Sequence, residues 1–243
     1  MSVALVTGAS RGIGRSIAFQ LAQNGFVVAV NYVANEQAAL QLCEEIRCAG
    51  GKAVPYRCDV SDSTVVGEMC RRICKELGEI TVLVNNAGVS QQKLFTEITD
   101  EDWHRMMRIH VDGAFFASRA VLPDMIRSHH GCIINVSSMW GQVGGSCEVH
   151  YSAAKAAIIG LTKALAKEVG PAGIRVNCVA PGVIRTDMLE HLDESALAAL
   201  SEETPLCRLG TPEDVAQVVS FLVSEKAAFI TGQVLAPNGG IVI

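Results

Sequence analysis

The sequence lacks the features that mark several large classes of protein. It has no CxxC pair, no block of basic residues, no linker, no low-complexity stretch and no internal repeat. No apolar run approaches the roughly 18 residues of a membrane span. The apolar start, Met1–Thr7, is too short for a secretory leader. A membrane role is therefore not expected, and a cytoplasmic location is. The Lys and Arg total of 20 against 25 Asp and Glu gives a formal charge of −5 with no basic patch to offset it, so nucleic acid is a poor partner. The nine cysteines are an odd number and cannot all pair within the chain. None stands at zinc-finger spacing to a matching histidine pair, so no metal is expected, and the thiols read as small hydrophobes kept reduced.

What the sequence does have is a rhythm. Short β-branched runs occur at Val3–Val6, Val27–Val30, Val54–Arg57, Val82–Val84, Cys132–Val136, Val176–Val179 and Val234–Ala236. Between them lie helical patterns at Gly14–Gln23, Glu36–Ala49, Ser63–Leu77, Asp100–Ser128, Tyr151–Val169 and Pro212–Ser224. This alternation predicts parallel strands with helices on both faces, and burial on both faces explains runs that are continuously apolar. The expectation is one α/β domain over residues 1–243, a doubly wound, Rossmann-like fold with a seven-stranded parallel sheet. A chain of this length buries enough surface to need no staples. The stretch 184–209 breaks the rhythm with a charged helical pattern over Asp187–Glu203. It lies beyond a strand's C-terminal end, where such sheets bind ligands, so it is a candidate lid.

The first strand runs into Thr7-Gly8-Ala9-Ser10-Arg11-Gly12-Ile13-Gly14 and then a helix. Glycines there permit a tight turn and a close approach to a pyrophosphate, and the helix start supplies N–H donors with positive partial charge. The spacing is GxxxGxG rather than the better-known GxGxxG. The second strand ends in Asn31-Tyr32, with no acid before Glu36. An acid at that point holds the ribose 2′-hydroxyl of NAD, whereas a neutral strand end with Arg11 nearby accommodates the 2′-phosphate of NADP. NADPH is thus favoured over NADH. The fourth strand ends in Asn85-Asn86-Ala87-Gly88, whose amides are suited to tying neighbouring strands together and bordering a cofactor.

Tyr151 and Lys155 are four apart at a predicted helix start, so they share one face about a turn apart. A free tyrosine, with a pKa near 10, is a poor proton donor or acceptor at neutral pH, and an ammonium beside it favours phenolate. Ser138 follows the fifth strand at its C-terminal end, where its hydroxyl meets a substrate carbonyl.

With these residues in view, the sequence resembles the short-chain dehydrogenase/reductase family over nearly its whole length. The resemblance also rests on Asp59-Val60, Pro181-Gly182 and Ile230-Thr231-Gly232-Gln233. Within the family it most resembles bacterial 3-oxoacyl-[acyl-carrier-protein] reductases. That implies NADPH-dependent reduction of a ketone, with Tyr151 as proton donor and Ser138 polarising the carbonyl. Lys155 would hold the nicotinamide ribose and depress the tyrosine pKa. Asp59 and Val60 would flank adenine, Asn86 with Ala87 and Gly88 the adjacent ribose, and Pro181, Gly182 and Thr186 the nicotinamide carboxamide. A homotetramer, packed through the two long helices and the C-terminal segment, is also implied.

Three departures from the family pattern stand out. His110 occupies the position of the usual catalytic Asn, either as a core residue or as a relay or water-holding group. Trp140, two after Ser138, is either a packing residue or a pocket wall. Cys147 and Glu148 stand just before Tyr151, where small or amide residues are usual. A carboxylate at the substrate mouth fits a cationic substrate better than a neutral acyl chain. The combination resembles reductases of the 5-aminopentanone group on elongation factor P. The substrate reading is therefore a 3-oxoacyl group on acyl carrier protein, with the elongation-factor ketone as the alternative. A catalytically idle cofactor-binding scaffold is the alternative of another class, since fold alone never fixes function.

Overall fold

The computed structural model describes residues 2–189 and 193–243. The seven predicted apolar runs are strands β1 (Val3–Val6), β2 (Val27–Tyr32), β3 (Lys52–Arg57), β4 (Ile80–Asn85), β5 (Gly131–Val136), β6 (Ile174–Val179) and β7 (Val234–Leu235). They pair in parallel in the order β3-β2-β1-β4-β5-β6-β7. Helices α1 (Gly12–Gln23), α2 (Glu36–Cys48) and α3 (Ser63–Leu77) belong to the first half. The second half carries α4 (Asp100–Met107), α5 (Gly113–Ser128), α6 (Trp140–Val143), α7 (Val149–Val169), α8 (Glu194–Glu203) and α9 (Pro212–Val223).

Both faces of the sheet are buried, as continuous apolar runs require. Ala4, Val6, Val28 and Val30 pack with Leu21 of α1 and Val219 of α9. Val3, Leu5, Val27 and Ala29 pack on the other face with Ile73 of α3 and Val121 of α5. The strand order reverses between β1 and β4, which opens a crevice at their C-terminal ends. Thr7 bridges that crevice floor: its hydroxyl accepts from the backbone N–H groups of Asn86 (2.9 Å) and Ala87 (3.0 Å).

The structure differs from expectation in two places. The predicted helix over 100–128 is interrupted by a wider turn, Arg108–Asp112, with π-helical bonding, and His110 sits in it. Such turns insert an extra residue and re-aim a side chain, often at functional sites. The candidate lid is two short pieces rather than one helix, a 3₁₀ turn at Asp187–Leu189 and α8. Positions 190–192 of that segment lie outside the described residues. The segment's two ends meet: Ile184 bridges to Gly210, and the N–H of Gly210 donates to Val183 O (2.9 Å). It therefore leaves and re-enters the fold at one point. Among the described residues, no helix is long and apolar enough to cross a membrane.

Asn31 shows how the strand ends are locked. It is fully buried. Its Oδ1 accepts from the Gly8 N–H (3.1 Å), and its Nδ2 donates to Cys58 O (2.9 Å) and Tyr56 O (3.3 Å). Asn31→Ala removes the side-chain partner of the Gly8 N–H and of Cys58 O, at about 1–3 kcal/mol for each group left without a partner. A drop in thermal midpoint is expected in calorimetry; an unchanged midpoint would mean that the amide is dispensable.

Candidate active site

The glycine loop lies flush on the end of β4. Gly8 has φ +60°, and a Cβ there would stand 2.8 Å from the Ala87 Cα. At Gly14 a Cβ would stand 2.4 Å from Asn86 Nδ2, which donates to Thr7 O (2.9 Å) and Gly8 O (3.1 Å). Helix α1 starts without a side-chain cap and with no acid in its first turn. An uncapped helix start over a flush glycine loop is a geometry that accommodates an anion such as a pyrophosphate. Arg11 is three-quarters exposed, and its guanidinium lies 3.7 Å from Asp187 of the candidate lid.

Other predicted cofactor residues play narrower parts. The Asn31 side chain is consumed inside the fold, and Tyr32 is buried with its hydroxyl donating to Glu36 Oε1 (3.0 Å). Their side chains hold the loop and the strand end rather than reaching into the crevice. Val60 is buried beneath Gly113, so only its backbone is left to face a base, while Asp59 is exposed and turns back to accept from the Ser61 N–H. Pro181 is buried and its carbonyl accepts from the Met139 N–H (2.9 Å). Gly182 packs on Asn238, and Thr186 lies against Gly12. Arg57, at the end of β3, donates from Nε to Val33 O (3.2 Å) and adds a second cation beside the end of β2.

The catalytic candidates converge at the ends of β5 and α7. Lys155 is buried, donates from Nζ to Val136 O (2.8 Å), and lies 5.6 Å from the centre of the Tyr151 ring. Ser138 is buried, and its Oγ accepts from the Trp140 N–H (3.2 Å). The His110 ring stands edge-on to Tyr151, with centroids 5.5 Å apart. Gly88 makes room for it, since a Cβ there would stand 2.3 Å from His110 Cε1. Burial, aided by the Lys155 charge, pushes the His110 pKa down to about 3, so its ring is neutral.

One expectation is corrected. Lys155 does not bring Tyr151 toward neutrality in this structure. Burial pushes the phenol up to about 12; contact with Ser138 opposes the rise and Glu148 adds to it. Burial likewise pulls Lys155 down to about 8. A low-dielectric pocket penalises both charged forms.

The three substrate candidates sit on α6 and just before α7. Trp140 is half-buried, and its ring covers Gly145, where a Cβ would stand 3.0 Å away. Cys147 is half-buried with φ +60°. Glu148 is half-buried; burial raises its pKa, and its carboxylate accepts from Gln92 Nε2 (3.3 Å).

Comparison with known proteins fits this geometry. A short-chain dehydrogenase profile, described as enoyl-(acyl carrier protein) reductase, matches residues 8–242. The chain belongs to the short-chain dehydrogenase/reductase family. It is 42% identical over 238 residues to the 3-oxoacyl-[acyl-carrier-protein] reductase FabG of Staphylococcus aureus, covering 98% of this chain and 97% of that one. It is 40% identical over 241 residues to FabG of Thermotoga maritima, covering 99% and 98%. A 3-oxoacyl-[acyl-carrier-protein] reductase of Synechocystis is 40% identical over 242 residues, covering 99% and 97%. Members of the short-chain family are oxidoreductases that interconvert C=O and CH–OH groups, and this chain is one of them.

Residues that frame the family's catalytic set here were not evident as such in the sequence. Ser137 donates its hydroxyl to Lys155 O (2.8 Å), and Gly141 lets α6 lie against that same carbonyl. Gln91 and His150 pair beside Tyr151 at 3.0 Å. Ser137 had a signal, since it adjoins Ser138; Gln91 had none. All three tyrosines are pushed above their ordinary pKa near 10, chiefly by burial. At pH 10 the folded protein is expected to show little phenolate absorbance, and the unfolded chain about half-ionisation. These groups leave stability unchanged below pH 10 and erode it as pH rises toward the Tyr151 value of about 12, because the unfolded chain loses protons that the native state keeps. Half-ionised tyrosine in the folded protein at pH 10 would contradict this reading.

Proposed function

We propose that the protein reduces a ketone to a secondary alcohol with NADPH, and that the ketone is a 3-oxoacyl thioester carried on acyl carrier protein. The observation that carries this reading is the convergence of Ser138, Tyr151 and Lys155 across the crevice from the uncapped start of α1. The activity for which its relatives are named, 3-oxoacyl-[acyl-carrier-protein] reduction, supports the ketone chemistry. Arg11 and Arg57, with Glu36 engaged by the Tyr32 hydroxyl, support a 2′-phosphate. A location in the cytoplasm and a homotetramer complete the reading. Exposed Phe115 on α5, and exposed Phe229 and Ile243 near the C-terminal end, suit association through those elements.

Bound in the crevice, the reduced nicotinamide supplies a hydride. Tyr151, protonated at neutral pH, donates its phenolic proton to the carbonyl oxygen as negative charge develops there. Ser138 donates its hydroxyl hydrogen to the same oxygen, and the Trp140 N–H on its Oγ fixes the direction of that donation. Lys155 holds a ribose hydroxyl and favours the phenolate left behind. A cavity of about 10 Å³ behind Lys155 is lined by Asn85 and His110, whose Oδ1 and Nδ1 atoms have no partner among the described residues. One water fits roughly 10–15 Å³ and needs two to four polar partners. With a pKa near 3 the His110 ring is neutral at neutral pH, so its bare nitrogen is suited to hold that water beside Lys155. The contact of Arg11 with Asp187 sets the 3₁₀ turn Asp187–Leu189 beside the glycine loop, as a substrate lid would require.

Glu148 supports a second reading, in which the ketone carries an amine, as on elongation factor P. Two observations favour the acyl chain instead. Leu94 and Phe95 after β4, Val143 at the end of α6 and Val149 at the start of α7 are exposed, and the Glu148 carboxylate is already engaged by Gln92. An idle scaffold is disfavoured by the intact catalytic set.

A substrate panel with NADPH and NADH tests the reading. Acetoacetyl thioester with NADPH is expected to turn over fastest, ahead of crotonyl thioester and an aminopentanone. Tyr151→Phe should lower turnover about 10²–10⁴-fold with the NADPH dissociation constant nearly unchanged. Preference for crotonyl thioester would move the reaction to C=C reduction. Preference for the aminopentanone, lost in Glu148→Gln, would install the second reading. Full activity in Tyr151→Phe would sink both.

A further inference from the structure

Helix α7 carries Tyr151 in its first turn, yet its N-terminus has no side-chain cap. Five other helices are closed by side chains, whereas α1, α5 and α6, like α7, are not. Helices α4 and α9 have reciprocal capping boxes, and α2, α3 and α8 have Asn or Asp caps. The position of Tyr151 must be set from outside the helix. The loop after β4 does this with three consecutive residues. Gln91 Oε1 meets His150 Nε2 at 3.0 Å, Gln92 Nε2 donates to Glu148 at 3.3 Å, and the Lys93 N–H donates to Cys147 O at 2.7 Å. That last contact holds Cys147 in a left-handed conformation that non-glycine residues adopt only under constraint.

The clamp is anchored on Asp102, the capping carboxylate of α4. Its Oδ1 accepts from Gln91 Nε2 (2.9 Å), and its Oδ2 accepts from Lys93 Nζ (2.7 Å) and the Thr99 N–H (3.2 Å). An ionised carboxylate only accepts, so Gln91 must turn its amide N–H groups to Asp102 and its oxygen to His150. His150 is wholly buried and held neutral by that burial. Its Nε2 must therefore carry the proton, leaving Nδ1 bare; Nδ1 has no partner among the described residues.

We propose that Asp102, acting through Gln91, fixes His150 in the Nε2–H tautomer and thereby sets the start of α7 and the place of Tyr151. His150 and Gln91 are positioning residues for the proton transfer, and Asp102 joins the cap of α4 to that task. The functional consequence rests on the ketone-reductase reading. Misplacing a reacting group by about 1 Å costs up to roughly 10²-fold in rate.

The test uses the full-length protein. Gln91→Leu removes the hydrogen bond from a half-buried loop position, and His150→Leu removes it from the core. Both are expected to lower kcat about 10- to 100-fold while the NADPH dissociation constant stays within about twofold. The double variant should be no worse than the poorer single one. His150→Gln, which restores a donor toward Gln91, should recover most of the activity. Asp102→Asn can keep the Lys93 and Thr99 contacts on its oxygen only by facing Gln91 with its NH₂. Gln91 should then flip and drive His150 to the Nδ1–H tautomer, read from its ring nitrogen-15 resonances. Gln91→Leu should also speed amide exchange over residues 147–153. Wild-type kcat within twofold in Gln91→Leu, additive single effects, or an unchanged tautomer in Asp102→Asn would overturn the proposal. If the wild type turns over no ketone, the reductase reading falls, and the exchange and tautomer measurements still decide the clamp.

Discussion

A buried lysine ammonium without a carboxylate sets the terms for this site. Burying an unpaired charge is costly, and among the described residues Lys155 forms no ion pair. What it has is the Val136 carbonyl at 2.8 Å, the Tyr151 ring within cation–π reach and the polar wall made by Asn85 and His110. Each neighbour has to be neutral and fixed. His110 is kept neutral partly by the lysine charge itself. Asn85 is fixed by donating to Asn135 Oδ1 (2.8 Å), and Asn135 donates to Thr162 of α7 (2.9 Å). That ladder runs from β4 through β5 to the helix that carries the lysine. The sheet order is thus a requirement of the chemistry as well as of the core, because only adjacent β4 and β5 bring these amides into line.

The helix starts fall into two groups. Side chains close the first turns of α4 and α9, as at Thr99 and Thr211. The starts of α1, α5, α6 and α7 carry no side-chain cap; at α1 the open turn adjoins the glycine loop, and at α7 the loop after β4 contacts Cys147, Glu148 and His150. The glycine loop is closely fitted. Its glycines are set by the approach of Ala87 and Asn86, which leaves no room for a Cβ at positions 8 and 14.

Much of this was legible in the sequence, for definite reasons. Strands buried on both faces write themselves as continuous β-branched runs, so all seven were found. Spacing within one helix turn is a local property, so Tyr151 and Lys155 could be paired without a fold. Partners distant in the chain were not legible. Nothing near Gln91 announces that it meets His150, which is 59 residues away, and nothing near Asn31 announces that its amide is spent on Gly8 and β3. The wide turn at His110 was missed because its flanks carry an ordinary helical pattern. The Tyr151 pKa was misjudged because a neighbouring cation is visible in sequence and desolvation is not.

That misjudgement bears on where the proton rests. A tyrosine with its pKa near neutrality would hold its proton only part of the time at neutral pH. Burial to about 12 keeps the proton on Tyr151 across the physiological range, and Lys155 at about 8 remains mostly cationic there. The resting site therefore holds the proton that a carbonyl must receive, in the form in which it is donated. By microscopic reversibility, the same phenolate–ammonium pair that ends the reduction begins the oxidation. The gap between the two values also gives Lys155 a use late in the step: once the proton has left, phenolate and ammonium form a close pair in a dry site, where their attraction is strongest. Burial thus raises the cost of ionising Tyr151 alone, while the adjacent buried cation offsets that cost only when the proton is transferred.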